Sequence, residues 1–227
     1  MQQTNHGTRH FCEIARREGL LEQSAGLIAG CGRGREALYL QRTLGAKITG
    51  IDINLRLDAQ VEREVSRRLQ FLQADVLQLP FETDSFDFVF FHHVLEHVSD
   101  PVRSLEELSR VLRPHGWMYI GTPNRHRILG YLGAYGVSAR EQIRWNLMDY
   151  VDRIRGRFRN ELGAHAGFSE RELREMLGRY FTEVRWLTRS YLRFKYAGHI
   201  PSPLLRIVLS RPLISITAPA HYALCRK

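Results

Sequence analysis

Long apolar runs are missing from this 227-residue chain. Nowhere do about eighteen apolar residues follow one another, so the sequence offers no membrane-crossing helix. The N-terminal stretch MQQTNHGTRHFCEIARREG has no apolar centre of the kind a secretory signal carries. Cysteine is scarce: Cys12, Cys31 and Cys225 show no paired spacing. That argues against a disulfide framework and fits a reducing, cytoplasmic setting. Acids are outnumbered, with 24 Asp and Glu against 33 Lys and Arg, giving a net charge of +9. The surplus points to anionic partners: nucleic acid, acidic substrates or a membrane surface. It is also concentrated. Arg125, Arg127, Arg140, Arg144, Arg153, Arg155, Arg157 and Arg159 face only Glu141, Asp149 and Asp152 within that stretch. A solvated helical surface is the plainer account of such a run.

What is present is ordinary in bulk, with 44% hydrophobic and 25% charged residues. Length and composition suit a single α/β domain over residues 1–227 with a modest elaboration. The chain is organised around LIAGCGRGREALYLQRTLGAKITGID, residues 27–52. A short apolar run ends at Ala29; Gly30, Gly32 and Gly34 follow, then a helical segment closed by Gly45, then a second apolar run delivering Asp52. Strand, glycine turn, helix and strand ending in a carboxylate make a nucleotide-binding half-fold. The dinucleotide pattern G-x-G-x-x-G is not met, because the third glycine comes one residue early and Arg35 stands in its place. Cys31 reads as a small residue of the turn.

Further on, an amphipathic helix is expected over 4–23, a polar helix over 56–69 and a strand over Leu69–Leu72 that ends at Asp75. Phe86–Phe91 reads as a strand covered on both faces, Asp100-Pro101 as a helix start, and Arg113–Gly116 as its stop before a strand at Trp117–Ile120. Residues 125–167 interrupt the alternation and read as a helical lid that selects the acceptor. Ser169 and Glu172 form a capping box. Val184–Leu187 is a sixth strand; Ile214–Thr217 or His221–Cys225 supplies the seventh. Pro201–Pro212 reads as core, with contact to a membrane face as the alternative.

The segment G-C-G-R-G, followed by L-P-F-x-x-x-S-F-D-x-V and V-L-E-H-V-x-D-P, resembles the class I S-adenosylmethionine-dependent methyltransferases over roughly the next hundred residues. The resemblance implies a doubly wound, seven-stranded, mostly parallel sheet with an antiparallel terminal hairpin. It implies S-adenosyl-L-methionine as cofactor. Gly30, Gly32 and Gly34, with Cys31, would surround its methionine part, Asp52 the ribose, and Asp75 with Val76 the adenine; Ile53, Phe91 and His92 would also contact the cofactor, His92 by its backbone. Arg9 or Arg17 of the first helix would meet its carboxylate. One departure is Ala29, where the family has an acid.

Methyl transfer from a sulfonium needs orientation more than charge stabilisation and requires no metal. An oxygen acceptor calls for a base, and the candidates are His165, His92 and His93, with His126 also flanking the lid. The reading is methylation of a small molecule at oxygen, its acceptor acidic or lipid-linked. A non-catalytic cofactor-binding module and an RNA methyltransferase are the alternatives. N-P-P-Y and Pro-Cys segments, used on nucleic-acid bases, are absent. His93–His97 also satisfies the zinc pattern H-x-x-E-H, which needs a helix and a third ligand. Oligomeric state is not legible.

Overall fold

The computed structural model describes residues 5–20, 22–131, 137–196, 198 and 200–227. Helix α1 (His6–Arg17) is capped by the Asn5 side chain, which accepts from the Thr8 N–H. It is shorter than expected, because the chain turns at Glu18 and Gly19, the latter at φ +75°. Leu21 of the expected helix lies outside the described residues. Next come β1 (Ala25–Ala29), α2 (Arg35–Leu44) and β2 (Lys47–Asp52), with Gly34 and Gly45 left-handed at the two ends of α2.

The polar helix expected over 56–69 shrinks to one turn, α3 (Ala59–Glu62). Only Val61 of it is buried, and a helix with one anchoring residue has too little packing to propagate. Then follow β3 (Leu69–Gln73), β4 (Phe86–His92), a 3₁₀ turn at Leu95–His97 and α4 (Pro101–Val111). Asp100 caps α4 through the Arg103 N–H. The expected stop after it is instead a bulge inside β5 (Leu112–Pro123). Phe86 pairs with Leu112 and Phe88 with Trp117, so Arg113–Gly116 loop out opposite Asp87.

The insertion carries α5 (Ala139–Ile154), started by a capping box of Ser138 and Glu141, and a 3₁₀ turn at Asn160–Leu162. A second box, Ser169 with Glu172, opens α6 (Glu170–Leu177). The chain closes with β6 (Glu183–Trp186), α7 (Thr188–Tyr196), α8 (Ser202–Val208), α9 (Arg211–Thr217) and β7 (Ala220–Arg226). Of the two candidate seventh strands, 220–226 pairs and 214–217 is helical. Segment 201–212 is divided: Leu205 and Leu209 are buried, while Leu204 and Ile207 are exposed.

The sheet order is β3-β2-β1-β4-β5-β7-β6, parallel except for β7, which runs antiparallel to β5 and β6. One face buries Phe11, Ile28, Leu40, Phe88, Phe90 and Tyr119 under α1, α2 and α7. The other buries Leu27, Val89, Phe91, Leu105, Leu108 and Leu173 under α4 and α6. Alternate residues of β1 and β4 therefore serve opposite layers, which is why those strands read as continuous apolar runs. The order reverses between β1 and β4, so a crevice opens beyond their C-terminal ends.

Candidate functional site

At that crevice the glycine turn is fixed from below. The N–H groups of Gly30 and Cys31 both donate to the Ile51 carbonyl (2.9 and 2.8 Å). Asp52, at the tip of β2, accepts from the Gly32 N–H at 2.8 Å and the Asn54 N–H at 2.9 Å, one on each carboxylate oxygen. A carboxylate has about four lone-pair sites, so acceptor capacity remains on both oxygens. Gly30 and Gly34 are packed: a Cβ would overlap Val94 at the first and Val61, Leu57 and Phe71 at the second. Gly32 is different, with nothing within 4 Å of where its Cβ would lie. A ligand can approach the main chain there.

Two cavities meet at this edge. One, of about 220 Å³, is lined by Gly30, Asp52, Ile53, Asp75, Val76 and Val94, among others. Asp75 holds its own loop through the Leu77 N–H (2.9 Å) on one oxygen. The two strand-tip carboxylates predicted from the sequence thus share one hollow. Cys31 and Phe91 do not line it. The Cys31 thiol is buried, and burial, aided by the charge of Asp52, pushes it up to about 12. Phe91 is core on the α4 side. Arg9 lies over the Phe194 ring, Arg17 acts on His10, and neither lines this hollow or the larger one beside it.

The larger cavity, about 430 Å³, lies toward α1, α7 and the insertion and holds His92, His93 and His165 in its wall. His97 lines both hollows and joins them. The His92 ring is wedged where a Cβ on Gly7 of α1 or Gly121 of β5 would overlap it, and it stacks on Phe90 and Tyr222. Burial, and then the neighbouring His93, hold its pKa well below the ordinary value, so it is neutral. Its Nε2 has no hydrogen-bond partner. His126 is exposed and outside the cavity.

His93 turns out of β4 at φ +55°, a left-handed conformation that aims its side chain off the strand. Its Nδ1 meets Glu96 Oε1 at 3.3 Å, and Glu96 also accepts from the Thr122 hydroxyl at 3.1 Å. Glu96 is only 3% exposed. Burial pushes its carboxyl up, but the hydrogen bond and charge of His93, with His97 beyond, outweigh that and leave it below the ordinary value. His165 sits edge-on to His97 at 4.7 Å between centroids, its pKa lowered by burial and then by His97. The H-x-x-E-H pattern lies on a strand end and a 3₁₀ turn. Among the described residues no three His, Cys, Asp or Glu are grouped to hold a metal.

Sequence reasoning missed Glu96 and His97 as site residues, although both stand inside the matched V-L-E-H-V stretch. It also missed Arg127, Tyr131 and Tyr222 in the larger cavity. Arg127 is 4% exposed and tied to Asp149 of α5 at 2.6 Å.

A family model described as a methyltransferase domain matches residues 27–120. Methyltransferase GfsG of Streptomyces halstedii is 36% identical over 109 residues, covering 44% of this chain and 39% of that protein. The 27-O-demethylrifamycin SV methyltransferase of Amycolatopsis mediterranei is 34% identical over 114 residues, covering 45% and 41%. The chain thus spans about two fifths of the length of these curated relatives. The YcgJ protein of Bacillus subtilis superposes with a TM-score of 0.60 at 17% identity, over 98% of each chain. The matched segment runs from β1 into β5 and contains the glycine turn, both strand-tip acids and the His93–Glu96 pair.

Proposed function

We propose that this chain, whose residues 27–120 match a methyltransferase-domain model, is an S-adenosylmethionine-dependent enzyme that methylates a small molecule at oxygen. The observation that carries the reading is the shared hollow of Asp52 and Asp75 beside the open main chain of Gly32, continuous through His97 with a larger histidine-lined cavity. Bound S-adenosylmethionine supplies a methyl group already activated by a sulfonium. Asp52 offers its spare lone pairs to the ribose hydroxyls, with Ile53 beside it. Asp75, with Val76, offers its other oxygen to the adenine amine. Gly30, Gly32 and Gly34 leave room for the methionine part. Ala29 brings no acid there; Glu36 of α2, held by Thr8 of α1 at 3.2 Å, is the carboxylate nearby. Its carboxyl is raised by burial, partly offset by Thr8 and by His93.

The larger cavity takes the acceptor. Positioning the hydroxyl against the methyl carbon contributes up to roughly 7–11 kcal/mol. Among the histidines, His93 is the base: Glu96 holds Nδ1, leaving Nε2 for the acceptor proton, and the carboxylate stabilises the imidazolium formed. His165 closes the same wall. His92 is packed as a neutral floor. Oxygen is favoured because a base is needed there, and because the Amycolatopsis relative is named for an O-demethyl substrate.

Calorimetry with S-adenosylhomocysteine tests the reading. Wild type should bind, and Asp52→Ala should weaken binding by about 1–3 kcal/mol, the scale of hydrogen bonds to a charged group. No binding by wild type would sink the proposal. Binding without turnover on any acceptor would leave the non-catalytic module in its place.

A further inference from the structure

Helix α5 is amphipathic the wrong way round. Its polar residues face the protein: the Asn146 carbonyl oxygen accepts from the Gly130 N–H, Asp149 takes Arg127 and Tyr131, and Arg153 donates to the carbonyls of Arg125 and Arg127. Gln142, one turn earlier, donates to the Val137 carbonyl. These positions recur every three or four residues and make one face. The face turned away holds Ile143 (61% exposed), Leu147 (60%), Val151 (42%) and Ile154 (87%), at the same spacing. Beside the helix, Ile128 and Leu129 are exposed too, tied in where the Tyr150 hydroxyl donates to the Ile128 carbonyl.

An exposed apolar stripe of this kind marks a contact surface. Its charge identifies the partner. Arg140, Arg144, Arg155, Arg157 and Arg159 are exposed on or just beyond α5, and among the described residues none of them joins an ion pair. On a helical wheel Arg140 falls within the apolar arc and Arg144 lies just beside it. A second copy of the chain would set these arginines against their own equivalents in a two-fold contact, on a molecule already at +9. A nucleic acid would satisfy the arginines but not four aliphatic side chains. An anionic phospholipid surface satisfies both, with aliphatic groups entering the acyl boundary and guanidinium groups at the phosphates.

We propose that α5 is a membrane-docking helix whose Ile143, Leu147, Val151 and Ile154 face rests on an anionic lipid surface. The inference stands on this face alone and does not depend on methyl transfer. It does bear on the site, because the opposite face of α5 holds Arg127, Gly130 and Tyr131 in the wall of the larger cavity. Docking would therefore set that cavity beside the lipid. From sequence, 201–212 reads as core with a membrane face only as the alternative; the longer and more basic exposed stripe is on α5.

Flotation of the full chain with vesicles tests it. Wild type should float with phosphatidylcholine vesicles containing about 30% phosphatidylglycerol and not with phosphatidylcholine alone. The triple variant Ile143→Ser, Leu147→Ser, Ile154→Ser should bind roughly tenfold or more weakly, as should Arg140→Gln, Arg144→Gln, Arg155→Gln. All three substituted apolar residues are exposed, so circular dichroism and S-adenosylhomocysteine affinity should match wild type. Failure of wild type to float with anionic vesicles would overturn the proposal. So would undiminished flotation of the serine variant, or a wild-type dimer in light scattering that the serine variant dissolves.

Discussion

His93 and Glu96 owe their pairing to two local departures from regular structure. The left-handed φ of +55° turns His93 out of β4, and the 3₁₀ turn at Leu95–His97 brings Glu96 back under it. Glu96 is buried and charged, held by His93 and the Thr122 hydroxyl, so its loss is felt at its partner. Glu96→Gln keeps the shape and removes the charge. With any acceptor that turns over, we expect kcat to fall by roughly 10–100-fold, and by about 10²–10⁴-fold in His93→Ala, the range for general-base catalysis. S-adenosylhomocysteine affinity should be unchanged in both, since neither residue lines the smaller cavity. Full activity in Glu96→Gln would remove the pair from the mechanism. The acids at 52 and 75 were legible because a strand tip has only one place to go in an open sheet. His97 was not, because its use at the junction depends on a short turn that no periodicity announces. Tyr222 carried no signal at all, arriving from the last strand by way of sheet pairing.

The glycine turn shows how one element divides its work. At Gly34, φ is +79° and a Cβ would lie 2.8 Å from Val61 and 2.9 Å from Leu57. Gly34→Ala should therefore destabilise the fold by about 2–4 kcal/mol, combining left-handed strain with overpacking. At Gly32, φ is +51° but the space is open. Gly32→Ala should cost only about 1 kcal/mol of stability while weakening S-adenosylhomocysteine by roughly tenfold or more, because the methyl occupies ligand space. Thermal unfolding and calorimetry on the two variants separate these roles; equal effects on binding would contradict them. Elements with their own start and stop chemistry were readable from sequence: α2 between glycines, α4 behind Asp100-Pro101, α6 behind its capping box. Those decided by tertiary fit were not. The 56–69 segment has helical period but one buried anchor, and the Arg113–Gly116 bulge exists because β5 must meet both Phe86 and Phe88. Around α5 a helical lid was expected, but not that its polar side faces inward.

For the whole molecule, the buried histidines set the response to acid. His10 is 5% exposed and His221 3%, and each has its pKa lowered to about 4, His10 by burial and then Arg17, His221 by burial against an opposing Glu170. The unfolded chain takes up protons on these rings as pH falls through about 6.5, while the folded chain resists until about 4. Between those values the unfolded state binds more protons, so stability falls with falling pH. The loss reaches about 3 kcal/mol for each ring by the lower end of the window. His92, packed under Gly7 and held well below the ordinary value, adds to it. Glu96 and Glu107 have lowered pKa values in the fold, so they withdraw stability only below their unfolded range, about 4.3, while Glu36, raised by burial, takes up its proton earlier in the fold and opposes the loss. Ion pairs as exposed as Arg171–Glu175 are screened by solvent and do not set the trend. Thermal unfolding should therefore show Tm dropping from about pH 6.5 downward, before Glu96 and Glu107 titrate. In a His10→Gln, His221→Gln double variant the slope over that window should flatten even if the starting Tm is lower. A wild-type Tm that stays level until about pH 4.5 would mean these rings are solvated in the folded chain and already share the unfolded pKa.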